Sequence, residues 1–358
     1  MEAIYLPSYR VDSDAILQST QTFSQTGSRA LVIGGHKAFS AALDLVRKAC
    51  ADACVQIVSE EWYGGECTYA HMERLAAIAR CKSADMIIGI GGGKALDTAK
   101  GCAAKTGLPV LTVPTIASTC AAITAISVVY DENNVFVESM FHDRPPVCAI
   151  IDLDVIAHAP VRYLRAGMGD ALAKHVESSL SSRGRMLSHT CTLAVTIGRT
   201  SFYPLLQYGQ QAMEDAQNCK ATEALKQVVL SNIISTGLVS LLIEEQYNGA
   251  LAHALFYGLT RLKDFEQHCL HGDAVGYGVL VQQMLDNQLD AFRELRRFAV
   301  SLGMPVTLKD TGFELTDELA ALIVPASLKA LTDARAMPYE VTPQQLTDAL
   351  YAVEHYCE

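Results

Sequence analysis

The chain has 358 residues, half of them hydrophobic, and this length predicts two domains because a single core stops growing at about 250–300 residues. The formal net charge of −11 argues against nucleic acid and anionic membranes as partners, since no basic stripe is available to neutralise phosphates. The sequence has eleven cysteines but no CxxC pair, its start lacks signal-peptide features, and we find no apolar run of bilayer length. These features predict a cytoplasmic protein.

The first part of the chain alternates short apolar strands with helical patterns. Short apolar strands separated by helices of this length indicate a parallel sheet that is covered on both faces. An inserted β-hairpin interrupts the order, with strands at 127–130 and 135–138 around a turn at 131–134. The other predicted strands are 30–34, 54–59, 86–90, 110–113 and 147–152, and the predicted helices are 39–50, 69–82 and 94–105.

Two loops in this part are candidates for binding a dinucleotide. The segment 87–100 (IIGIGGGKALDTAK) runs from a strand through three glycines into a helix, whose N-terminus attracts a diphosphate. It is neither GxGxxG nor a Walker loop, so a tight turn without a ligand stays an alternative. The loop 112–127 also follows a strand and is therefore expected at the carboxyl edge of the sheet. Its hydroxyl groups belong to Thr115, Ser118, Thr119 and Thr124.

After Pro160 the pattern becomes helical, with almost no strands. Proline suits the first turn of a helix, and long amphipathic segments follow it to the end of the sequence. The predicted helices are 162–181, 186–206, 221–245, 249–259, 273–287, 289–302, 317–334 and 343–356. The predicted fold class is therefore an α/β N-terminal domain over 1–159 and an all-α C-terminal domain over 160–358.

Three residues of the helical part are candidate metal ligands. Asp170 follows two glycines in GMGDALAKHVE, His253 interrupts the apolar ALAHALFYG, and His271 ends QHCLHG. A charge or imidazole on an apolar face is costly unless it is paired or ligated. One carboxylate and two imidazoles with an open position suit catalytic Zn²⁺ or Fe²⁺. From composition alone, however, a satisfied core histidine is the favoured interpretation of His253.

Five segments together resemble the glycerol dehydrogenase branch of the iron-containing (group III) alcohol dehydrogenase family, which includes hydroxycarboxylate dehydrogenase-like members. They lie at 89–100, 113–130, 166–177, 250–260 and 269–278. The resemblance implies a dehydroquinate synthase-like fold, a homo-oligomer, and separate dinucleotide-binding and metal- and substrate-binding domains. It also implies Asp170, His253 and His271 as the catalytic metal ligands. Lys174 stands where many iron-dependent relatives have a fourth ligand, a histidine, so Zn²⁺ is favoured over Fe²⁺.

The resemblance also implies a nicotinamide cofactor and its contacts. NAD-dependent relatives have an acidic residue after the first strand, near Gly35, whereas here His36 and Lys37 follow, so that NADP is permitted as well as NAD. The implied cofactor-binding residues are Gly35, Lys37, Gly92, Gly93, Lys94, Asp97, Thr115, Ser118, Thr124, Ile126 and Tyr130.

Three positions bear on the substrate. Cys120 replaces an aspartate that contacts the polyol in glycerol dehydrogenases, Phe256 replaces a common histidine, and Lys174 is a candidate partner for a carboxylate. The hypothesis is a metal-dependent, NAD(P)-linked oxidoreductase acting on CH–OH groups, with a 2-hydroxy acid and 2-oxo acid as the substrate pair. The alternative is a glycerol or 1,2-diol dehydrogenase, and a remote alternative is a dehydroquinate synthase-like lyase.

Overall fold

The computed structural model describes residues 4–133 and 135–357. The chain forms two compact units, the first made of Met1–Val161 with Glu214–Val229 and the second of Arg162–Met213 with Leu230–Glu358. The return of the segment Glu214–Val229 to the first unit was not part of the predicted division at residue 160. All candidate cofactor residues lie in the first unit, and all candidate metal ligands lie in the second.

The first unit contains a parallel sheet with helices and an inserted hairpin, as predicted. Strand β1 and helix α1 were not predicted, because β1 is almost fully exposed and has no apolar run. The elements in chain order are β1 (Ser8–Asp12), α1 (Thr20–Thr26), β2 (Arg29–Gly34), α2 (His36–Asp52), β3 (Gln56–Trp62), α3 (Tyr69–Cys81), β4 (Met86–Gly91), α4 (Gly93–Thr106), β5 (Val110–Pro114), β6 (Ile126–Tyr130), β7 (Phe136–Phe141), β8 (Cys148–Asp152) and α5 (Leu153–Ala157).

The six-stranded sheet has the order β1-β8-β5-β4-β2-β3, and all of its strand pairs are parallel. Successive residues of β2 face opposite sides, because side chains alternate along a strand. Val32 packs in the cluster that contains Phe23 of α1 and Val46 of α2. Leu31 packs in the cluster of Leu75 from α3 and Ala99 from α4. The sheet is therefore covered on both faces, which explains its uninterrupted apolar strands.

Strands β2 and β4 are neighbours, but the chain leaves them in opposite directions across the sheet. The strand that follows β2 lies on its outer side, whereas the strand that follows β4 lies on the other side of β4. Such a topological switch point opens a crevice at the carboxyl ends of the two strands, where doubly wound folds bind their ligands. Gly35 and the triple glycine follow β2 and β4 directly, so both lie at this crevice.

The inserted hairpin is formed by β6 and β7, which pair antiparallel with one irregularity beside Tyr130. The carboxylate of Asp131 accepts the N–H groups of Asn133 and Val135 at 2.8 Å and so organises the described part of the turn. Asn134, the last residue of the predicted turn, lies outside the described residues.

The second unit is helical, and its described residues contain no strand. Helix α12 begins at His271, two residues before the predicted start, so His271 is its first residue. The helices after residue 161 are α6 (Arg162–Ser181), α7 (His189–Gln217), α8 (Glu223–Val229), α9 (Thr236–Leu242), α10 (Leu251–Leu259), α11 (Phe265–His268), α12 (His271–Leu285), α13 (Leu289–Ser301), α14 (Asp317–Ala334) and α15 (Pro343–Glu354). The end of α7 and all of α8 belong to the first unit.

The helix predicted at 221–245 is interrupted by a π-helical stretch, Leu230–Ser235, between α8 and α9. The whole run Glu223–Leu242 is long and apolar enough to cross a membrane by length and composition, which corrects the expectation that no such run exists. Its apolar window is, however, 56% buried inside the chain. Asn232 in the π-helical stretch is fully buried and donates to the carbonyl of Leu164 at 3.2 Å. This packing is typical of a core helix.

A candidate metal centre and dinucleotide site

The second unit brings Asp170 of α6, His253 of α10 and His271 of α12 together. One potential ligand atom from each lies within 4.8 Å of the other two. Asp170 Oδ1 is 3.5 Å from His253 Nε2 and 3.8 Å from His271 Nε2, longer than ordinary hydrogen bonds of about 2.7–3.2 Å. These separations are close to the roughly 3.4 Å expected between tetrahedral ligands whose bonds to zinc are about 2.0–2.2 Å. The donor set therefore fits a divalent metal ion.

Glycine residues allow the helices that carry these ligands to cross at backbone contact. A Cβ atom on Gly272 would lie 1.8 Å from the carbonyl oxygen of Ala166, and one on Gly169 would lie 2.1 Å from the oxygen of Gly272. Both glycines are next to a ligand in sequence. A Cβ atom on Gly278 of α12 would lie 2.7 Å from the oxygen of Ala252 in α10. No larger residue fits at these crossings, so the glycines determine how closely the ligands approach.

The N-terminus of α10 is capped by side chains from the two helices that carry the other ligands. The N–H groups of Ala250 and His253 donate to Oε1 of Glu177 on α6 at 2.7 and 2.9 Å. Those of Leu251 and Ala252 donate to Oε1 of Gln282 on α12 at 3.0 and 3.3 Å. Helix α10 has no side-chain cap of its own. The two buried side chains therefore satisfy N–H groups that a helix start leaves without intrahelical partners.

Neither Glu177 nor Gln282 has a role that was predicted from the sequence. The only signal for Glu177 is its spacing, because a residue seven positions after Asp170 lies on the same face of α6. Gln282 stands in the apolar segment 278–285 (GVLVQQML). A polar side chain on a buried helix face requires a hydrogen-bond partner, but the sequence does not show which partner it finds.

Charge on the site follows from these contacts. Burial favours the neutral form of Asp170, but the imidazoles of His253 and His271 outweigh it and hold the pKa of Asp170 well below its ordinary value. Burial also opposes ionisation of Glu177, and the charge and hydrogen bonds of His253 lower its pKa nevertheless. Both carboxylates are therefore ionised at neutral pH. Burial lowers the pKa of His253, but Glu177 and Asp170 outweigh it and raise that pKa.

The remaining side chains around the metal site differ in exposure. The side chain of His271 is 36% exposed and meets the ring of Phe256 edge to face, with 4.4 Å between ring centroids. Lys174 is buried, and its ammonium group donates to Oδ1 of Asn248 at 2.9 Å. His175 lies outside the ligand group and packs on the ring of Phe202 at 4.9 Å. His271 is thus the most exposed of the three candidate ligands, whereas Phe256 beside it is buried.

In the first unit, the ends of β2 and β4 provide two helix N-termini without side-chain caps. Gly35 precedes α2, and Gly92 precedes α4. Gly91 has a φ of +150°, a conformation that L side chains rarely adopt. A Cβ atom on Gly92 would lie 2.6 Å from the side chain of Ile116. A helix start that has no side-chain cap and no Cβ atom fits a diphosphate, which such N–H groups attract.

The hydroxyl-rich loop is fixed to this glycine turn. The N–H of Thr115 donates to the carbonyl of Gly91 at 3.1 Å. The ammonium group of Lys100, buried on α4, donates to the carbonyl of Thr124 at 3.1 Å and to that of Ile126. It also lies 2.8 Å from Oδ1 of Asp97. The buried ammonium group of Lys100 thus connects α4 with Thr124, which lies just before β6, and with Ile126, the first residue of β6.

The predicted cofactor residues differ in their positions within this unit. Thr115 and Thr124 are buried, whereas Gly35, Ser118, Ile126 and Tyr130 are half-buried and Lys37 is exposed. Asp97 is buried, and its Oδ2 accepts the N–H of Val128 at 3.0 Å, so its carboxylate serves the packing of the loop. Cys120, the predicted substrate contact, is half-buried in the same loop.

Lys94 has a partner that sequence analysis did not anticipate. Its ammonium group pairs with the carboxylate of Glu66, a residue that is only 7% exposed. The same ammonium group lies 5.2 Å from the centroid of the Tyr130 ring, within the range of a cation–π contact. Glu66 therefore orients Lys94 beside Gly93. Gly93 in turn lies next to Thr119, since a Cβ atom added to Gly93 would be 3.2 Å from Oγ1 of Thr119.

Comparison with known proteins identifies the family. The sequence model of iron-containing alcohol dehydrogenases matches residues 7–153. A glycerol dehydrogenase from Escherichia coli O6:H1 is 32% identical over 361 residues, which cover 97% of this chain and 95% of the relative. The chain belongs to the iron-containing alcohol dehydrogenase family.

Its place in the family is the glycerol dehydrogenase branch, as predicted. The crystal structure of glycerol dehydrogenase from Schizosaccharomyces pombe has a TM-score of 0.87 and 28% identity, covering 99% of this chain and 90% of that one. Hydroxycarboxylate dehydrogenase A from Escherichia coli K12 is 33% identical over 82% of this chain and 81% of its own length. The chain is an oxidoreductase acting on CH–OH groups, and membership in the family implies a divalent metal and NAD(H).

The glycine crossing next to His271 gives a test of the geometry. Gly272→Ala places a methyl group 1.8 Å from a backbone oxygen, so we expect an unfolding free energy lower by about 3 kcal/mol or more, with loss of Zn²⁺ binding by the folded chain. Gly198→Ala is the matched control, because its Cβ atom would meet only contacts of 3.6 Å. Urea denaturation and zinc titration measure both effects. A Gly272→Ala protein with wild-type stability and zinc affinity would show that the crossing is not the determinant.

Proposed function

We propose that the chain interconverts a small vicinal hydroxy compound, such as glycerol or a 1,2-diol, and the corresponding carbonyl compound, with NAD(H) as the hydride carrier. The observation that carries this proposal is the spacing of one carboxylate oxygen and two imidazole nitrogens, all within 4.8 Å of one another. The glycerol dehydrogenases among the relatives support the choice of substrate class.

We propose Zn²⁺ as the metal and Asp170, His253 and His271 as its protein ligands. Three protein ligands and an open position are typical of catalytic zinc. Lys174 lies one helical turn after Asp170, and its ammonium group donates a hydrogen bond to Asn248. An ammonium group has no lone pair for a metal. When bound, the metal supplies Lewis-acid chemistry that stabilises negative charge on the substrate oxygen.

The chain's own residues orient the metal ligands and the dinucleotide, and they control access to the site. Glu177 and Gln282 fix the start of α10 and with it the position of His253. The apolar ring of Phe256 against His271 limits water on one wall of the site. His271 is partly exposed, so the proton that the alcohol loses can pass to solvent on this side. The turn at Gly92 and Gly93 and the loop that carries Thr115 hold the dinucleotide, so that binding energy contributes to its alignment.

A second candidate function is the oxidation of a 2-hydroxy acid or the reduction of a 2-oxo acid. Two observations favour it: Cys120 carries no carboxylate for a polyol, and the hydrogen bond of the buried Lys174 ammonium is to a neutral amide oxygen. Each observation by itself suits a substrate that carries a carboxylate. The similarity to hydroxycarboxylate dehydrogenase A is consistent with this candidate. Family membership leaves the dehydroquinate synthase-like lyase without support.

We extend the proposal to the cofactor, the assembly and the compartment. His36 and Lys37, both exposed, occupy the start of α2 where an acid would exclude a 2′-phosphate, so we propose that NADP(H) is accepted beside NAD(H). None of the eleven cysteines, all of which lie in the described part of the chain, forms a disulfide, which supports a reducing compartment such as the cytoplasm. A homo-oligomer is proposed from the base rate for such enzymes.

Steady-state rates with glycerol, 1,2-propanediol and 2-oxobutanoate, each with both dinucleotides, separate the candidates. We expect kcat/KM to be highest for a diol, and we expect a chelator to abolish every rate until Zn²⁺ is restored. A kcat/KM for 2-oxobutanoate above that of both diols would favour the second candidate. Rates that survive complete metal removal would contradict the metal-dependent mechanism itself.

Two variants test the substrate contacts individually. Cys120→Asp restores the acid of glycerol dehydrogenases, and we expect it to raise kcat/KM for glycerol by about 10–100-fold, the effect of one charged hydrogen bond. Lys174→Met removes the cation, so it should lower kcat/KM for 2-oxobutanoate and leave that for glycerol almost unchanged. Cys81→Asp, at an exposed cysteine of α3, is the control for an added charge. Equal effects of Lys174→Met on both substrates would exclude its role in carboxylate recognition.

A further inference from the structure

We infer that Glu177 is a positioning residue of the metal centre, which fixes the ring of His253 so that Nε2 faces the ion. The inference rests on the proposed metal at Asp170, His253 and His271. It concerns a residue that contributes no ligand, because Oε1 of Glu177 faces backbone N–H groups and Oε2 faces Nδ1 of His253.

Two hydrogen bonds from backbone N–H groups fix the orientation of Glu177 independently of the ring of His253. The side chain is completely buried, and its Oε1 accepts from the backbone of both Ala250 and His253 at 2.7 and 2.9 Å. These two bonds hold the plane of the carboxylate at the start of α10. Its second oxygen is therefore presented at a fixed place, which is where the ring of His253 lies.

The contact at Oε2 determines the protonation of the ring. We assign the donor role in this contact to Nδ1 of His253, because a carboxylate oxygen accepts hydrogen bonds. The lone pair then lies on Nε2, the atom that is 3.5 Å from Oδ1 of Asp170. A partner at one ring nitrogen that selects the tautomer and orientation at the other is typical of metal-ligating histidines.

Gln282 provides an internal comparison within the same three helices. It also caps the start of α10, where its Oε1 accepts from Leu251 and Ala252, and its amide group donates to the carbonyl of Val176 at 3.3 Å. Among the described residues, its hydrogen bonds are all with backbone groups and none is with a histidine ring. Capping alone can thus be done by a neutral amide, and what Glu177 adds is an acceptor for Nδ1 of His253.

The test is Glu177→Gln in the full-length chain. Glutamine retains the volume, and with its oxygen on the backbone N–H groups its NH₂ group faces Nδ1 and cannot accept the Nδ1 proton. We expect the dissociation constant for Zn²⁺ to rise by about 10–100-fold, the usual cost of losing such an outer partner. Competition with a chromophoric chelator measures it. The visible spectrum of the Co²⁺-loaded protein should change with it, because the ligand field depends on how His253 is oriented.

Gln282→Met is the control variant. It removes the acceptor for two N–H groups at the same helix start without touching a ring, so it should lower Tm and raise the dissociation constant for Zn²⁺ by less than Glu177→Gln does. If Glu177→Gln lowers Tm no more than Gln282→Met but weakens zinc binding more strongly, capping is excluded as the whole cause. An unchanged dissociation constant and Co²⁺ spectrum in Glu177→Gln would overturn the inference.

A measurement on the wild-type protein remains informative even if Glu177→Gln does not fold. Long-range ¹H–¹⁵N correlation spectra of the zinc-loaded chain report which nitrogen of each imidazole is protonated, and His253→Gln assigns the signal. We expect the proton on Nδ1, and a proton on Nε2 would overturn the inference. Failure of the wild-type protein to bind Zn²⁺ would overturn the proposed metal site as well, so the two failures are distinguishable.

Discussion

The metal centre depends on how the chain satisfies the buried start of α10. Four consecutive N–H groups, from Ala250 to His253, have acceptors on α6 and α12, and each acceptor is the oxygen of a completely or almost completely buried side chain. A buried N–H group without a partner would cost about 1–3 kcal/mol. Glu177 and Gln282 therefore fix the position of α10 relative to the two helices that carry Asp170 and His271, and the ligands converge as a consequence.

The two units use the same physical arrangement for different purposes. In each, a glycine allows close packing, and a buried charge then fixes the neighbouring segment. In the second unit, Gly272 permits the crossing and Glu177 fixes His253. In the first unit, Gly92 begins α4 beside Ile116 and Lys100 holds the carbonyls of the loop that ends at Ile126. Buried ion pairs are weak evidence for stability, so their value here lies in the geometry that they specify.

The sequence predicts what is locally encoded. Apolar runs such as 86–90 identify buried strands, and Asp170 and His253 stand out because a charge or an imidazole on an apolar helix face needs a partner. Residues whose role depends on distant parts of the chain were missed: Glu177, Gln282 and Glu66 look like ordinary polar positions until the fold supplies their partners. The edge strand β1 was missed because its exposed face has no apolar pattern, and the π-helical turn at 230–235 leaves no periodic signal.

The central claim is that three side chains from three helices share one metal ion, and anomalous diffraction at the zinc edge from crystals of the zinc-loaded protein tests it most directly. The account predicts one strong peak about 2.0–2.2 Å from the donor atoms of Asp170, His253 and His271, with Glu177 outside bonding distance. A peak coordinated by Glu177 in place of His253, or no peak among the three residues in the loaded protein, would contradict it.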